Sequence, residues 1–165
     1  MSVPPIDKAA VLDALRARVE KRLADVRAAQ RDAQAGATHA ESRSEHPKDT
    51  RAIEGSYLAR GLAERVEALH DAVAVLRAIA PTAFREDDPI ALTALVGLLD
   101  ETDGRSVYFI APAGGGERLA VRETEILVIT PHAPLGQALV GRRVGDEITL
   151  PLPGRRLAAV VAWIA

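Results

Sequence analysis

The sequence predicts an α+β protein, a long antiparallel helical hairpin followed by a small β-rich domain with one short helix. Three observations predict it. Apolar residues recur at helical spacing through two long runs in the first half of the chain. A polar stretch containing Pro47 separates those runs. Beyond Pro81 the pattern changes to short β-rich segments divided by turn residues.

The first helix is expected from Ile6 to about Ala35. Leu12, Leu15, Val19, Val26, Ala29 and Ala33 make its apolar seam, with Leu23 beside it and Arg22 on it. Pro4 and Pro5 precede the helix, Asp7 suits its first turn, and Gly36 is expected to end it. Residues 36–48 have no apolar period and read as the tip of the hairpin. The second helix resumes near Asp49, with Ile53, Leu58, Leu62, Val66, Leu69, Val73 and Leu76 on one face, and stops before Pro81. At about 1.5 Å per residue each helix would extend about 45 Å. Neither buries its seam alone, so a short connection should fold one back along the other.

The domains expected are therefore a coiled-coil hairpin over 1–80, a linker over 81–90 carrying the acidic run Glu86-Asp87-Asp88, and a β-rich domain over 91–165. Strands are expected at Leu92–Leu99, Val107–Ile110, Leu119–Val121, Ile126–Ile129, Ile148–Leu152 and Leu157–Ile164. Asp103-Gly104, Gly114-Gly115-Gly116 and Pro153-Gly154 supply turns between them. Pro134–Val140 holds the one short helical pattern. The expected result is an antiparallel sheet with that helix against it.

Composition narrows the function. Apolar residues are 48% of the chain but aromatics only 3%, so the core is built from Leu, Val, Ile and Ala. The net charge is −2; residues 1–80 carry 13 basic and 12 acidic side chains, and residues 81–165 carry 8 and 11. Neither half has the basic excess that favours duplex binding by phosphate neutralisation. The absence of cysteine removes disulfides and thiolate metal sites. The N-terminus leads into Asp7 and Lys8 without the apolar run of a secretory signal. No stretch approaches the roughly 20 apolar residues of a membrane span. These points lead to the expectation of a cytoplasmic protein.

The segment Pro134-Leu135-Gly136-Gln137-Ala138-Leu139-Val140-Gly141, continued by Val144-Gly145-Asp146-Glu147-Ile148, carries a resemblance. It is similar to the C-terminal signature of the Gre transcript-cleavage factors, whose Pro, Ala-Leu, Gly and Val-Gly-Asp align with it without gaps. The upstream strands, the Pro153-Gly154 turn and the hairpin-plus-β-domain layout also resemble that family. The resemblance implies an FKBP-like fold for the C-terminal domain. It further implies a monomer that binds RNA polymerase, with the coiled coil entering the secondary channel and presenting acids to the active-site Mg2+. No cofactor of the chain's own is implied.

At the tip, Glu41-Ser42-Arg43-Ser44-Glu45-His46 is the local match to the family's tip motif. Glu45 falls on its second acid and Ser42 on its first. Glu41, Glu45 and Asp49 stand four apart and supply a different set of carboxylates. Carboxylates suit this chemistry because magnesium is a hard cation that takes oxygen ligands. One acid would coordinate the polymerase's metal while a second orients the attacking water. Positions four apart share a face if the tip is helical, although Pro47 disfavours helix at His46. In the C-terminal domain the resemblance implies that His132, Pro134 and Leu135 dock on the polymerase at the channel rim.

Other readings stand beside this one. Within the family, a regulator that occupies the channel without cleavage shares the C-terminal signature. Tyr57 is expected to pack on the hairpin seam. A prolyl isomerase would need an aromatic-lined pocket built from Tyr108, Phe109 and Trp163. A scaffold would self-associate through the helical seam. His39 and His46 flank the tip acids and read as exposed polar residues. Gly141, Gly145 and Asp146 read as turn-formers.

Overall fold

The computed structural model describes residues 6–41, 50–152 and 155–165. Its elements are α1 (Lys8–Glu41), α2 (Thr50–Ala78), β1 (Leu95–Asp100), β2 (Arg105–Ile110), β3 (Arg118–Val121), β4 (Thr124–Ile129), α3 (Pro134–Leu139), β5 (Glu147–Leu152) and β6 (Arg155–Ile164). Two compact units divide them: Arg18–Ala74 form one, and Met1–Ala17 together with Val75–Ala165 form the other.

In the helical unit, α1 does not end at Gly36 as the sequence suggested. It continues to Glu41, and the Thr38 hydroxyl donates to the Gln34 carbonyl at 3.0 Å. One glycine costs a helix interior only about 1 kcal/mol relative to alanine, whereas each residue added to an existing helix gains a hydrogen bond. The buried stripe of α1 also differs in detail. Leu23 lies in it and Arg22 outside it, and towards the distal end Gln30 takes the half-buried position that Ala29 was expected to hold.

In α2 the inward stripe is Gly55, Ala59, Leu62, Val66, Leu69 and Val73, at alternating spacings of four and three. Ile53 and Leu58, expected on the seam, are 53% and 58% exposed, and Tyr57 is 72% exposed. Ile53 and Leu58 are five residues apart, which no helix face accommodates. The distal part of this helix therefore turns small residues inward and large apolar ones outward.

The second unit is built on a six-stranded sheet of order β3-β4-β2-β1-β6-β5. Each of the six expected strands falls on an observed one, but the first begins at Leu95 and not at Leu92, because residues 92–93 form a turn in which Thr93 has φ 69°. Neighbours pair antiparallel except β2 and β4, where Tyr108, Phe109 and Ile110 run parallel to Leu127, Val128 and Ile129. The chain reverses after β2 and returns along β3, then turns again at Arg122 (φ 54°) so that β4 slots between them. The sheet is thus antiparallel, as expected, at every neighbouring pair but that one.

Both faces of the sheet are buried, following the two-residue alternation of strands. One face carries Val96, Leu98, Ile110, Ile129, Ile148 and Val161 and packs with Leu139 of α3 and with Ile90. The opposite face carries Leu95, Phe109, Ile126, Val128 and Trp163. The same compact unit holds the buried Val11, Leu12 and Leu15 of α1 and Leu76 of α2. A Cβ added at Gly97 would lie 2.1 Å from the Trp163 indole, so only glycine leaves room for that ring.

Helix α2 leaves its last carbonyls without intrahelical donors, as every helix does. Arg16 of α1 supplies them: Nε donates to the Leu76 carbonyl at 2.9 Å and a terminal nitrogen to the Ile79 carbonyl at 2.7 Å. The start of one helix thus lies beside the end of the other, the antiparallel arrangement expected. Lys8 donates to the Thr82 carbonyl and sits 4.5 Å from the Phe84 ring centre, and burial lowers its pKa from the ordinary value. Thr82 N donates in turn to the Thr93 hydroxyl at 3.0 Å, although Thr93 adopts φ 69°, a costly angle for a β-branched residue. Arg16→Met keeps the side-chain stem but removes both bonds. It is expected to cost about 1–2 kcal/mol, read as a lower urea midpoint at unchanged slope.

Candidate functional site

Two groups of residues were singled out by sequence, and they fall in different units. Of the tip acids, Glu41 is the last residue of α1; Glu45 and Asp49 lie outside the described residues, as do Ser42 and His46. Thr50 begins α2. Residues 36–41 of the stretch read as the tip (36–48) therefore belong to α1. Among the described residues no three His, Cys, Asp or Glu side chains converge as a metal site.

The second group is built by α3 and the loops at its ends. Thr130 O accepts from Ala133 N at 3.1 Å, which turns the chain into the helix, and Pro134 takes the first helical turn, where no amide donor is required. Gln137 returns its side-chain amide to the His132 carbonyl at 3.2 Å. His132 and Pro134 are exposed at this corner, while Leu135 is half-buried and packs against the core. The structure brings these three together, with the Leu135 side chain partly committed to the interior.

The rest of the signature is structural, and each residue has its reason. A Cβ at Gly136 would lie 1.9 Å from the Thr130 carbonyl oxygen, so the helix approaches the preceding loop only through glycine. Leu139 is fully buried. Gly141, at φ 86°, lets the chain leave the helix and donate its amide to the Ile90 carbonyl at 2.8 Å, while Ile90 N donates to Arg142 O at 2.7 Å. Gly145 has φ 89° and donates to Val161 O at 2.8 Å. The Asp146 carboxylate accepts from Arg143 N at 2.9 Å and closes the turn. The reading of Gly141, Gly145 and Asp146 as turn-formers holds.

Residues 81–90, read as a linker, are bonded to this corner. Ile90 is a core residue, Phe84 packs against the core, and Arg143 donates to the Asp87 carbonyl. The family model for the C-terminal domain of the transcription elongation factors GreA and GreB matches residues 85–164, from this segment to the last strand. That match identifies a GreA/GreB-type C-terminal domain over residues 85–164.

The Gre signature thus spans the contiguous corner formed by the 84–90 segment, α3 and the turn before β5. Among solved structures, the chain is similar to Gfh1 of Thermus thermophilus, a GreA factor homolog, at 20% identity, covering 92% of this chain and 95% of that one with a TM-score of 0.40. Thermus aquaticus Gfh1 gives 22% identity, coverage of 92% and 94% and a TM-score of 0.41. The GreA/GreB elongation factor of Nitrosomonas europaea gives 22% identity over 62% of this chain and 90% of that one, with a TM-score of 0.39. No curated protein matches the chain.

The aromatic residues that a prolyl isomerase would require do not converge. Tyr108 and Phe109 are consecutive on β2 and face opposite sides of the sheet, with Phe109 completely buried. Sequence reasoning missed two features here. One is the role of Gly136, signalled only by a glycine inside so short a helix. The other is a cleft of about 450 Å³ lined by Phe84, Glu86, Val144, Ala162, Trp163 and Ile164, whose members are dispersed in sequence.

Proposed function

We propose that this chain is a transcription elongation factor that binds RNA polymerase, inserts its coiled coil in the secondary channel and modulates elongation. The observation that carries the reading is the GreA/GreB C-terminal domain over residues 85–164, behind two long helices between which the sequence places Glu45 and Asp49. In this reading Glu45, Glu41 and Asp49 assist the Mg2+ of the polymerase active site in cleaving backtracked RNA. His132, Pro134 and Leu135 bind the channel rim. The chain is then no enzyme in its own right, brings no metal, acts as a monomer and works in the cytoplasm, where the polymerase is. No described helix is long and apolar enough to cross a membrane.

The acids would act as oxygen ligands and as a base for water at a metal held by the partner. With the host polymerase halted in a backtracked complex with magnesium, the wild-type chain is expected to shorten the transcript. Glu45→Ala is expected to slow that cleavage roughly 10–100-fold, the usual cost of losing a group that orients a metal's ligands. A second reading, occupancy of the channel without cleavage, is favoured by Ser42 standing where the family's first tip acid falls. It predicts intact RNA with slowed elongation, in wild type and Glu45→Ala alike. No effect on either cleavage or elongation would remove the polymerase reading.

A further inference from the structure

Lysine is scarce in this chain, and the two lysines among the described residues, Lys8 and Lys21, stand in opposite surroundings. Lys21 is exposed, and its ammonium pairs with the Asp25 carboxylate at 2.7 Å, a contact that favours the protonated form. Lys8 is half-buried, and no described carboxylate pairs with it. The adjacent Asp7 is directed elsewhere, its carboxylate accepting from Ala9 N at 2.9 Å. Lys8 opens α1, so its cation lies at the end of the helix where the aligned peptide dipoles oppose positive charge.

The Lys8 ammonium donates to the Thr82 carbonyl and lies 4.5 Å from the centre of the Phe84 ring. Both contacts favour the charged form. Burial opposes them and prevails, holding the pKa below the ordinary lysine value. The neutral amine is thus reached more readily here than on a surface lysine paired with an acid. It can keep one N–H on the Thr82 carbonyl while its lone pair stays free, because a carbonyl only accepts.

We propose that Lys8 is an acylation site, its neutral ε-amine taking an acetyl group from an activated donor of the acyl phosphate or acyl thioester class. The nitrogen lone pair attacks the acyl carbon and forms the C–N bond. The bond from that carbon to the phosphate oxygen or thioester sulfur breaks with its electron pair, and the amine's surplus proton passes to the departing group. The product is a neutral amide. It removes the cation from the Phe84 ring and adds bulk between α1 and the 82–84 segment, which Thr82 N also ties to the Thr93 hydroxyl at 3.0 Å. Acylation would therefore loosen the passage from α2 into the sheet. The inference goes beyond the polymerase reading and does not depend on it.

The full-length protein would be incubated at about pH 8 with acetyl phosphate and, in a separate arm, with acetyl-coenzyme A. Peptide mass spectrometry would follow each lysine, with fragmentation assigning every acetyl group to its nitrogen. Lys8 is expected to react about fivefold faster than Lys21 in at least one arm, the factor that a helix dipole opposing the charge contributes. The arm that reacts identifies the donor class. In urea sufficient to unfold the chain the two rates should converge. Acetylation should lower the thermal midpoint of the wild type by about 3 °C more than that of Lys8→Arg, which keeps a cation at the ring and cannot be acylated there. Reaction at Lys8 no faster than at Lys21 in either arm, a preference that persists in urea, or an equal midpoint shift in Lys8→Arg would each overturn the proposal.

Discussion

Gly136→Ala lowers the thermal midpoint of this protein by roughly 15 °C, if each kcal/mol shifts a unit of this size by about 5 °C. The methyl group would begin 1.9 Å from the Thr130 carbonyl oxygen and 2.9 Å from its carbon, with the Pro131 Cα at 3.0 Å behind them. All three are backbone atoms, so no rotamer change relieves the contact. Relief requires α3 to move off the loop that leads into it, which displaces the fully buried Leu139 from the core. Overpacking of this kind costs about 3 kcal/mol. Calorimetry of the variant checks the figure. Gly141→Ala is an informative companion, because no atom lies within 4 Å of its added Cβ and only its φ of 86° opposes the change. Its expected cost is about 1 kcal/mol, so the two substitutions separate steric exclusion from backbone strain.

Phe109→Ala is the second large effect, an expected loss of about 3–5 kcal/mol. Phe109 is fully buried at the middle of the sheet, opposite Leu95 on β1 and Val128 on β4. Rigid strands on both sides leave its walls little freedom to close over the vacated volume, and residual cavity is what raises the cost of such truncations. Urea unfolding followed by circular dichroism measures the loss. The neighbouring Tyr108→Phe should stay within about 0.5 kcal/mol, since its hydroxyl makes no hydrogen bond with a described residue. A small effect at Phe109 together with a large one at Tyr108 would contradict the assignment of faces.

The β-rich half was legible because its signals are local. Asp103-Gly104 predicts a turn, and the structure closes it through Asp100, whose carboxylate accepts from Thr102 N and Gly104 N at 2.8 Å each. The parallel pairing of β2 and β4 was not legible, because strand order depends on how a reversal threads back into the sheet and leaves no mark on any one segment. Along the helices, residue size misled where spacing would have served. Ile53 and Leu58 are the large side chains, yet Gly55 and Ala59 keep the register that continues through Leu62 and Val66. At the site, the glycines and Asp146 were readable from turn chemistry. The cleft was not, because its lining residues Phe84, Val144 and Ile164 are far apart in sequence and come to one place only once the segment after α2 is laid against the final strand.

The discontinuity of the sheet-bearing unit has a kinetic meaning. It joins Met1–Ala17 to Val75–Ala165, and the Arg16 bonds that help join them span 60 and 63 residues of sequence. On a ribosome the first turns of α1 emerge early, with Val11, Leu12 and Leu15 exposed, and wait for most of the chain to be made before they can be covered. Contacts of such separation are slow to form, because the closure entropy comes before any compensating burial. The start of α1 is thus synthesised well before the residues that shield it from water, and in that interval its apolar side chains are open to association with other nascent chains.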